Sequence, residues 1–315
     1  MALPADTLSS FTAIGNREDL SSIVYDISPS ETPFLSAIPK VKATGTKHEW
    51  QTTALTAPSG SNAVLEGDDA TTDAATLNAR VYNYRQISDK VARVTGTQEA
   101  VDNAGKKAKM AAQMEMRMKE LKTDVETTLL ANVASVAGNA TLAPRSAGLQ
   151  AWIKTNIDKA SDATACAGNG TDLHTDGTAR ALQESQVEAV LALAWANGGN
   201  PTLGVLNAFQ KRKFAAFSGS STKTSNGDAK KVVNSVDIYI DPLGNEVRLV
   251  PCRHVPTDVI YFVDPEMVKF AVLRDFRSSD LAKTGDSERK QILVEYTLEV
   301  CNEKAHAMVS DLAVA

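Results

Sequence analysis

Residues 97–136 read TQEAVDNAGKKAKMAAQMEMRMKELKTDVETTLLANVASV, and this stretch decides the fold. It contains no proline and only Gly105 as a helix breaker, so it favours one long helix. At ~1.5 Å per residue that helix would be roughly 60 Å long, which predicts an elongated or flat molecule. Apolar and small residues recur every three or four positions and predict one buried stripe. The stripe consists of Ala104, Ala108, Ala111, Met114, Met118, Leu121, Val125, Leu129 and Val133.

The residues before position 46 have the pattern of an arm. Glu18–Ile27 carries apolar residues at helical spacing, and Ser28-Pro29 ends that pattern. Two further prolines then bracket a few apolar residues that need a surface to lie on, among them Phe34. The sequence therefore predicts an extended segment anchored at a few points.

Two strand-like stretches, His48–Thr56 and Arg80–Thr95, predict a long hairpin. The connection between them, Ala57–Asn78, is poor in bulky apolar residues and includes an acidic turn. Connections of this length are usually functional or disordered, so we expect a partner surface to order it. Trp50 and either Tyr82 or Tyr84 are expected to form an aromatic clamp on the hairpin, although ordinary packing would explain them equally well.

The second half of the chain alternates helices and strands. A helical pattern from Leu182 to Trp195 ends at a glycine pair, a buried strand follows at Thr202–Leu206, and Asn207 is a predicted N-cap. Arg289–Cys301 carries apolar residues at every second position, which predicts a half-buried strand. These residues are Ile292, Val294, Tyr296, Leu298 and Val300. Together these patterns indicate a small α/β layer followed by a terminal sheet.

Composition excludes several classes of protein. Lys and Arg number 33 against 38 Asp and Glu, so the net charge of −5 disfavours a protein whose main task is binding nucleic acid. No apolar run is long enough to predict a membrane span, and residues 1–10 lack the pattern of a secretory signal. The three cysteines are far apart in sequence, so we expect free thiols.

A search for catalytic, cofactor and metal motifs yields no site. Cys252 and His254 lack the further ligands that a tetrahedral zinc ion needs. His174 lies between two aspartates in a glycine-rich loop, but the spacing lacks the closing glutamate of a calcium loop. Neither a phosphate-binding glycine loop nor a nucleophile elbow occurs. The sequence therefore predicts no enzyme, no cofactor and no metal.

The order of these elements resembles the tailed-bacteriophage major capsid (major head) proteins with the Hong Kong 97-type fold. The resemblance covers nearly the whole chain and is most specific in four stretches. These are TLSSFTAIGNREDL at 7–20, ISPSETPF at 27–34, KHEWQ at 47–51 and LEVCNEKAH at 298–306.

The resemblance implies an α+β fold with five parts. They are an N-terminal arm at 1–45, an extended hairpin called the E-loop at 46–95, a peripheral domain at 96–179 with the spine helix at 97–136, an axial domain at 180–255, and a return to the peripheral domain at 256–315.

The implied function is that of a major capsid protein. Such a protein self-assembles into pentamers and hexamers that form an icosahedral head shell around double-stranded DNA, with only weak non-specific contact to that DNA. It becomes part of the virion after assembly in the host cytoplasm. Portal, scaffolding and decoration proteins are the expected partners. Because the resemblance begins within ten residues of Met1, we expect a separate scaffolding protein or none.

Candidate intersubunit contacts come from the arm, from the first strand and the tip of the hairpin, and from the spine helix. An acidic hairpin tip could meet the lysines of a neighbouring spine helix, but both groups could equally face solvent. An encapsulin-like enzyme compartment with the same fold, and a hydrolase with an unrecognised site, remain alternatives. The candidate contacts are Glu66, Asp68, Asp69, Asp73, Lys106, Lys107, Lys109, Trp50 and Phe34.

Overall fold

A computed structural model describes residues 31–69, 75, 77–101, 109–217 and 237–314. The helix predicted at Glu18–Ile27 lies outside the described residues. The helices are α1 (Pro33–Ala37), α2 (Gly96–Ala100), α3 (Lys109–Leu130), α4 (Glu184–Ala196) and α5 (Ala208–Phe214). The strands are β1 (Lys40–Lys42), β2 (Lys47–Thr52), β3 (Ala79–Tyr84), β4 (Gln86–Thr95), β5 (Ile157–Asp158), β6 (Leu203–Leu206), β7 (Ile238–Ile240), β8 (Glu246–Pro251), β9 (Ile260–Val263), β10 (Val268–Asp280), β11 (Ser287–Val300) and β12 (Ala307–Val309).

A four-stranded sheet in the order β1-β10-β11-β4 supports α3, which packs against β4 and β11. The long strands β10 and β11 pair antiparallel, and β1 joins the edge of β10 in parallel. The predicted apolar stripe of α3 is confirmed from Met114 to Leu129 and faces the sheet. Leu121, Val125 and Leu129 are fully buried in the main core. Burial of this apolar face holds helix and sheet together.

Strand β11 is buried on both faces over residues 294–300, although its alternating sequence predicts one polar face toward solvent. Its apolar residues enter the core, while Glu295, Thr297 and Glu299 lie under the hairpin. Each of these polar side chains has a partner there: Glu295 pairs with Arg85 and Arg274, Thr297 donates to the Tyr84 carbonyl, and Glu299 contacts His48 and Lys269. The polar residues of the alternating pattern in β11 therefore form a buried contact within the chain and do not face solvent.

The predicted hairpin forms, but its second strand is divided. Strands β2 and β3 pair antiparallel, and after the single residue Arg85 the chain continues as β4, which pairs with β11. The break occurs where the chain changes its pairing partner from β2 to β11: the Arg85 amide makes the last hairpin bond, to the Thr46 carbonyl (3.2 Å), and its guanidinium pairs with Glu295 of β11 (2.7 Å). The expectation of one continuous strand at Arg80–Thr95 was therefore wrong.

Helix α3 ends at Leu130, six residues before the predicted end, and the described part has 22 residues, or about 33 Å. The Leu130 carbonyl accepts a hydrogen bond from the Tyr261 hydroxyl (2.8 Å). Beyond it, Val136 pairs with Arg145 through backbone bonds of 2.9 and 3.0 Å. These long-range bonds replace the helical ones, which local sequence cannot reveal. The prediction of one continuous helix was also wrong at its start, since α2 ends at Ala100 and Val101 has an extended backbone (φ −76°, ψ 134°). Residues 102–108 lie outside the described residues.

Helix α1 is capped by a side chain of α3. The Phe34 and Leu35 amides, in the first turn of α1, donate to the two carboxylate oxygens of Glu126 at 2.8 and 2.7 Å. First-turn amides have no partner within their own helix, so an external carboxylate satisfies them. Burial raises the pKa of Glu126, and the two amide hydrogen bonds oppose that rise. The expectation of an extended chain at 33–37 was wrong, since Pro33 starts a short helix instead.

A six-stranded sheet in the order β5-β12-β9-β6-β8-β7 forms the other layer, with α4 and α5 packed on its own apolar cluster. The predicted details are confirmed here: α4 ends at Gly198, whose φ is +82°, and the Asn207 side chain accepts the Phe209 amide at the start of α5. The sheet takes β5, β9 and β12 from outside residues 180–255, so it crosses the boundaries of the predicted axial domain.

Replacing Glu126 by Ala removes both acceptors and leaves two amides without their partner. We expect the free energy of unfolding to fall by about 2–3 kcal/mol, measured by urea denaturation of the unassembled chain. Glu120→Ala is the matched control on the same helix, because Glu120 is partly exposed and pairs only with Arg117, three residues away. An equal loss in both variants would contradict the capping role.

Candidate intersubunit surfaces

The connection between β2 and β3 exposes bulky apolar side chains. Residues 53–69 form no helix or strand, and Leu55, Val64, Leu65 and Leu77 are 96%, 85%, 80% and 87% exposed. Exposed apolar residues that occur singly need no explanation, but four of them in one connection make it a candidate contact surface. The sequence reading, which stressed the scarcity of apolar residues here, did not identify these four.

The acidic turn lies in the same connection. Gly67 adopts a φ of +82°, and the Asp68 amide donates to the Leu65 carbonyl (3.2 Å), so the chain reverses next to Glu66. The side chains of Glu66, Asp68 and Asp69 are exposed. The turn thus presents three acidic side chains beside two apolar ones, while Asp73 lies outside the described residues.

Of the three lysines predicted to face this turn in a neighbouring subunit, the structure describes one. Lys109 starts the described part of α3 and is partly exposed. Lys106 and Lys107 lie outside the described residues. The proposed contact between the acidic turn and these lysines therefore stays a prediction.

Trp50 contacts aromatic rings other than the predicted ones. It lies opposite Val81 in the hairpin, so it shares a face with His48, while the tyrosines face the other way. Its ring centroid is 5.7 Å from that of His48 and 5.4 Å from that of Trp152 in the core. The aromatic clamp with Tyr82 or Tyr84 was wrong, because the period of two along a strand separates these residues. Trp50 instead joins the hairpin to the core.

Phe34 is fully buried among the core residues of its own chain. The Glu126 cap fixes the backbone at this point, and Phe34 packs in the same cluster as Leu121 and Val125 of α3. Its side chain offers no exposed surface to a neighbouring subunit. Phe34 is therefore an intramolecular anchor of the segment that precedes β1.

A second exposed apolar surface lies on the six-stranded sheet. Strand β7 is at the edge of that sheet, with Tyr239 turned inward and Ile238 and Ile240 turned outward. An edge strand with free backbone groups and outward isoleucines can accept a further chain. The sequence predicted the strand but not this surface, because three consecutive apolar residues do not show which face is buried.

The described cysteines have no catalytic character. All three are free, and burial raises the pKa of the Cys166 and Cys252 thiols to about 11. A thiol that stays protonated is a poor nucleophile and a poor metal ligand. Cys252 packs against Glu126, and its sulfur accepts the His254 amide at 3.4 Å. In the described part of the chain, no helix is long and apolar enough to cross a membrane.

Comparison with known proteins identifies one family over almost the entire chain. The model of the SU10 major capsid protein family matches residues 7–313. The major capsid protein of Escherichia phage Phieco32 is 25% identical over 335 residues, with 95% of each chain covered.

Solved structures share the fold at low sequence identity. The capsid of cyanophage A-1(L) superposes with a TM-score of 0.68 at 11% identity, covering 97% of this chain and 99% of that one. The holo-SrpI encapsulin complex of Synechococcus elongatus PCC 7942 gives a TM-score of 0.57 at 12% identity, covering 95% and 93%. The predicted α+β fold of the Hong Kong 97 type is confirmed.

The position of Trp50 predicts unequal effects of two substitutions in the hairpin. Trp50→Ala removes the contact with Trp152 and should lower the free energy of unfolding by about 2–3 kcal/mol. Tyr82→Ala removes an edge-to-face contact with Tyr84 (5.5 Å) and a cation–π contact with the ammonium group of Lys47. These losses should lower the free energy of unfolding by about 1 kcal/mol or less. Chemical denaturation of the unassembled chain measures both. A larger loss for Tyr82→Ala would contradict the assignment of the two faces.

Proposed function

Because this chain belongs to the SU10 major capsid protein family, we propose that it assembles into pentamers and hexamers that form an icosahedral head shell around double-stranded DNA. The chain is a phage major capsid protein and a structural component of the virion, not an enzyme. The match of the family model over residues 7–313 carries this conclusion.

Of the alternatives, the hydrolase is excluded by family membership. An encapsulin-like compartment has the same fold, as the Synechococcus complex illustrates, but a likeness of 12% identity concerns the fold alone. The family model and the Phieco32 relative are both capsid proteins. They favour a shell that encloses a genome over one that encloses enzymes.

Five parts of the chain take distinct roles in the proposed shell. Support comes from the hairpin of β2 and β3 and from α3 against the four-stranded sheet. The apolar cluster of the six-stranded sheet combines residues of 180–255 with residues of 256–315, so these two parts share one core. The proposed parts are the arm at 1–45, the E-loop at 46–95, the peripheral segments at 96–179 and 256–315, and the axial domain at 180–255.

Contacts between subunits would use the apolar residues of the E-loop. Burying one Leu or Val side chain completely contributes about 1.5–3 kcal/mol. Four such residues are almost fully exposed in the single chain, so a neighbour that covers them gains a large part of its binding energy there. Heterologous contacts of this kind generate closed rings, as pentamers and hexamers require.

The acidic turn would then set the register of the contact. Glu66, Asp68 and Asp69 lie beside the apolar residues Val64 and Leu65, so the same approach brings them close to the neighbour. Lys106, Lys107 and Lys109 of that neighbour supply the opposite charge. Complementary charges favour one register over others more than they raise affinity.

Further partners follow from the proposed shell. Its inner surface would touch packaged DNA weakly, as a net charge of −5 allows. Scaffolding, portal and decoration proteins are the other expected partners, and the host cytoplasm is the expected place of assembly.

Expression of the full chain, alone and with the scaffolding protein of its phage, tests the proposed assembly. We expect closed shells with five-fold and six-fold units in negative-stain micrographs. The double variant Val64→Ser/Leu65→Ser should lose most shells, because an essential apolar contact becomes polar. Its own free energy of unfolding should change by no more than about 0.5 kcal/mol, since both residues are exposed.

Leu142→Ser is the control for this variant, because Leu142 is a half-exposed leucine in a turn after α3. It should leave shell yield unchanged. Wild-type chains that stay monomeric under both conditions would contradict the assembly, and normal shells from the double variant would contradict the role of the loop.

Charge reversal tests the electrostatic contact separately. Lys106→Glu/Lys107→Glu should reduce shell yield at low salt, where repulsion replaces attraction, and the deficit should shrink near 1 M salt, where the Debye length falls to about 3 Å. Adding Asp68→Lys and Asp69→Lys should restore assembly. The control is Lys119→Glu/Lys122→Glu, the same charge change farther along α3. Unchanged assembly of the first variant at low salt would refute the contact.

A further inference from the structure

A histidine and two aspartates from distant parts of the chain meet at one point. His174 and Asp176 belong to the long loop between β5 and α4, and Asp311 follows β12. One ligand atom of each lies within 4.8 Å of the others. The Nε2 atom of His174 is 3.9 Å from Oδ1 of Asp176 and 3.8 Å from Oδ2 of Asp311.

His174 is buried, and the two carboxylates near its ring lie just beyond hydrogen-bonding distance. Its side chain has no exposed surface, and neither ring nitrogen makes a hydrogen bond to any described residue. Buried polar side chains almost always have such a partner, so this one requires an explanation. Its backbone is fixed on both sides by Asn132, which donates to the His174 carbonyl (2.7 Å) and accepts its amide (3.2 Å).

Asp311 has a left-handed backbone conformation and a carboxylate held by hydrogen bonds. It has a φ of +58°, the left-handed value that residues other than glycine seldom adopt. Its carboxylate accepts the amides of Gly177 (2.7 Å) and Ala160 (2.9 Å), and its side chain is fully buried. Such strain is typical of functional positions, and here it orients a carboxylate toward His174.

Asp176 leaves the cluster open on one side, since its side chain is 58% exposed. An ion can enter from solvent past this carboxylate, and a water molecule can complete its coordination. The three side chains thus form a cluster with two buried members and one accessible edge.

We propose that His174, Asp176 and Asp311 bind a divalent transition-metal ion of the Zn²⁺ type. Imidazole and carboxylate ligands about 2.0–2.2 Å from zinc lie roughly 3.4 Å apart in a tetrahedron. The two distances from His174 must therefore shorten by about 0.5 Å, and the distance between the two carboxylates, which lies within 4.8 Å, by up to about 1.4 Å. The imidazole favours a transition metal over Mg²⁺ or Ca²⁺, which prefer oxygen ligands. The ion would satisfy Nε2 of His174.

The site would act as a staple between three parts of the fold. It joins the loop before α4 to the segment after β12, and through Asn132 it reaches the residues that follow α3. An ion that binds only the folded chain raises the free energy of unfolding by RT ln(1 + c/Kd), where c is the ion concentration, that is, with the logarithm of that concentration above the dissociation constant Kd. This inference does not depend on the proposed function.

The sequence alone does not predict the site, because His174 and Asp176 offer two ligands in a loop without a metal-binding spacing. The third ligand, Asp311, lies near the other end of the sequence. The pairing of β12 with β5 and β9, together with the backbone bridge between Arg180 and Leu312, brings it to the loop.

The test uses the full-length chain, freed of metal by EDTA and dialysed, in titration calorimetry and thermal unfolding with ZnCl₂. We expect saturable binding of one ion per chain and a higher melting temperature. Asp176→Asn should weaken binding at least tenfold and abolish the thermal shift. Because Asp176 is exposed, this variant should fold normally. Co²⁺ titrated in place of zinc should give the visible absorption of a tetrahedral site in the wild type only.

Asp172→Asn is the matched control. It removes the same charge from the same loop, and an asparagine oxygen can still accept the Ala167 amide. This variant should bind zinc like the wild type. The proposal is overturned if the wild type shows no saturable binding, or if both variants bind equally well. It is also overturned if Asp176→Asn lowers stability equally with and without zinc, which indicates an imidazolium ion pair.

Discussion

The burial of both faces of β11 is the constraint on which the rest of the structure depends. One face supplies apolar side chains to the core beneath α3, and the other places Glu295, Thr297 and Glu299 beneath the hairpin. A buried carboxylate is unfavourable without a partner, so Arg85, Arg274, His48 and Lys269 must approach from neighbouring strands. Hydrogen bonds from these partners lower the pKa of Glu295 and Glu299 against the effect of burial.

This arrangement explains why the capsid subunit can carry a long exposed connection on a rigid base. The hairpin is fixed at its foot by the ion pairs to β11 and by Trp50 against Trp152, and α1 is fixed by Glu126. Beyond the foot, no helix or strand contains residues 53–69. The apolar and acidic residues there are exposed in the single chain.

Much of the fold could be predicted from local patterns. The stripe of α3, the glycine that ends α4, the Asn207 cap and the alternation of β11 each depend on residues close together in sequence. The break at Arg85 and the end of α3 at Leu130 could not be predicted, because Thr46, Glu295 and Tyr261 cause them from far away. The same distinction applies to the candidate contacts. The exposure of the acidic turn could be predicted from its composition, whereas the hairpin face on which Trp50 lies depends on the register of the two strands.

The single-residue joint at Arg85 has a mechanical consequence. Arg85 connects the hairpin directly to β4, with no flexible linker between them. A force on the hairpin is therefore transmitted through Arg85 to β4. The ion pairs of Arg85 with Glu295 and of His48 with Glu299 join this part of the hairpin to β11 and resist the force. A force that a neighbouring subunit applies to the end of the hairpin would therefore be transmitted directly to β11 of the four-stranded sheet.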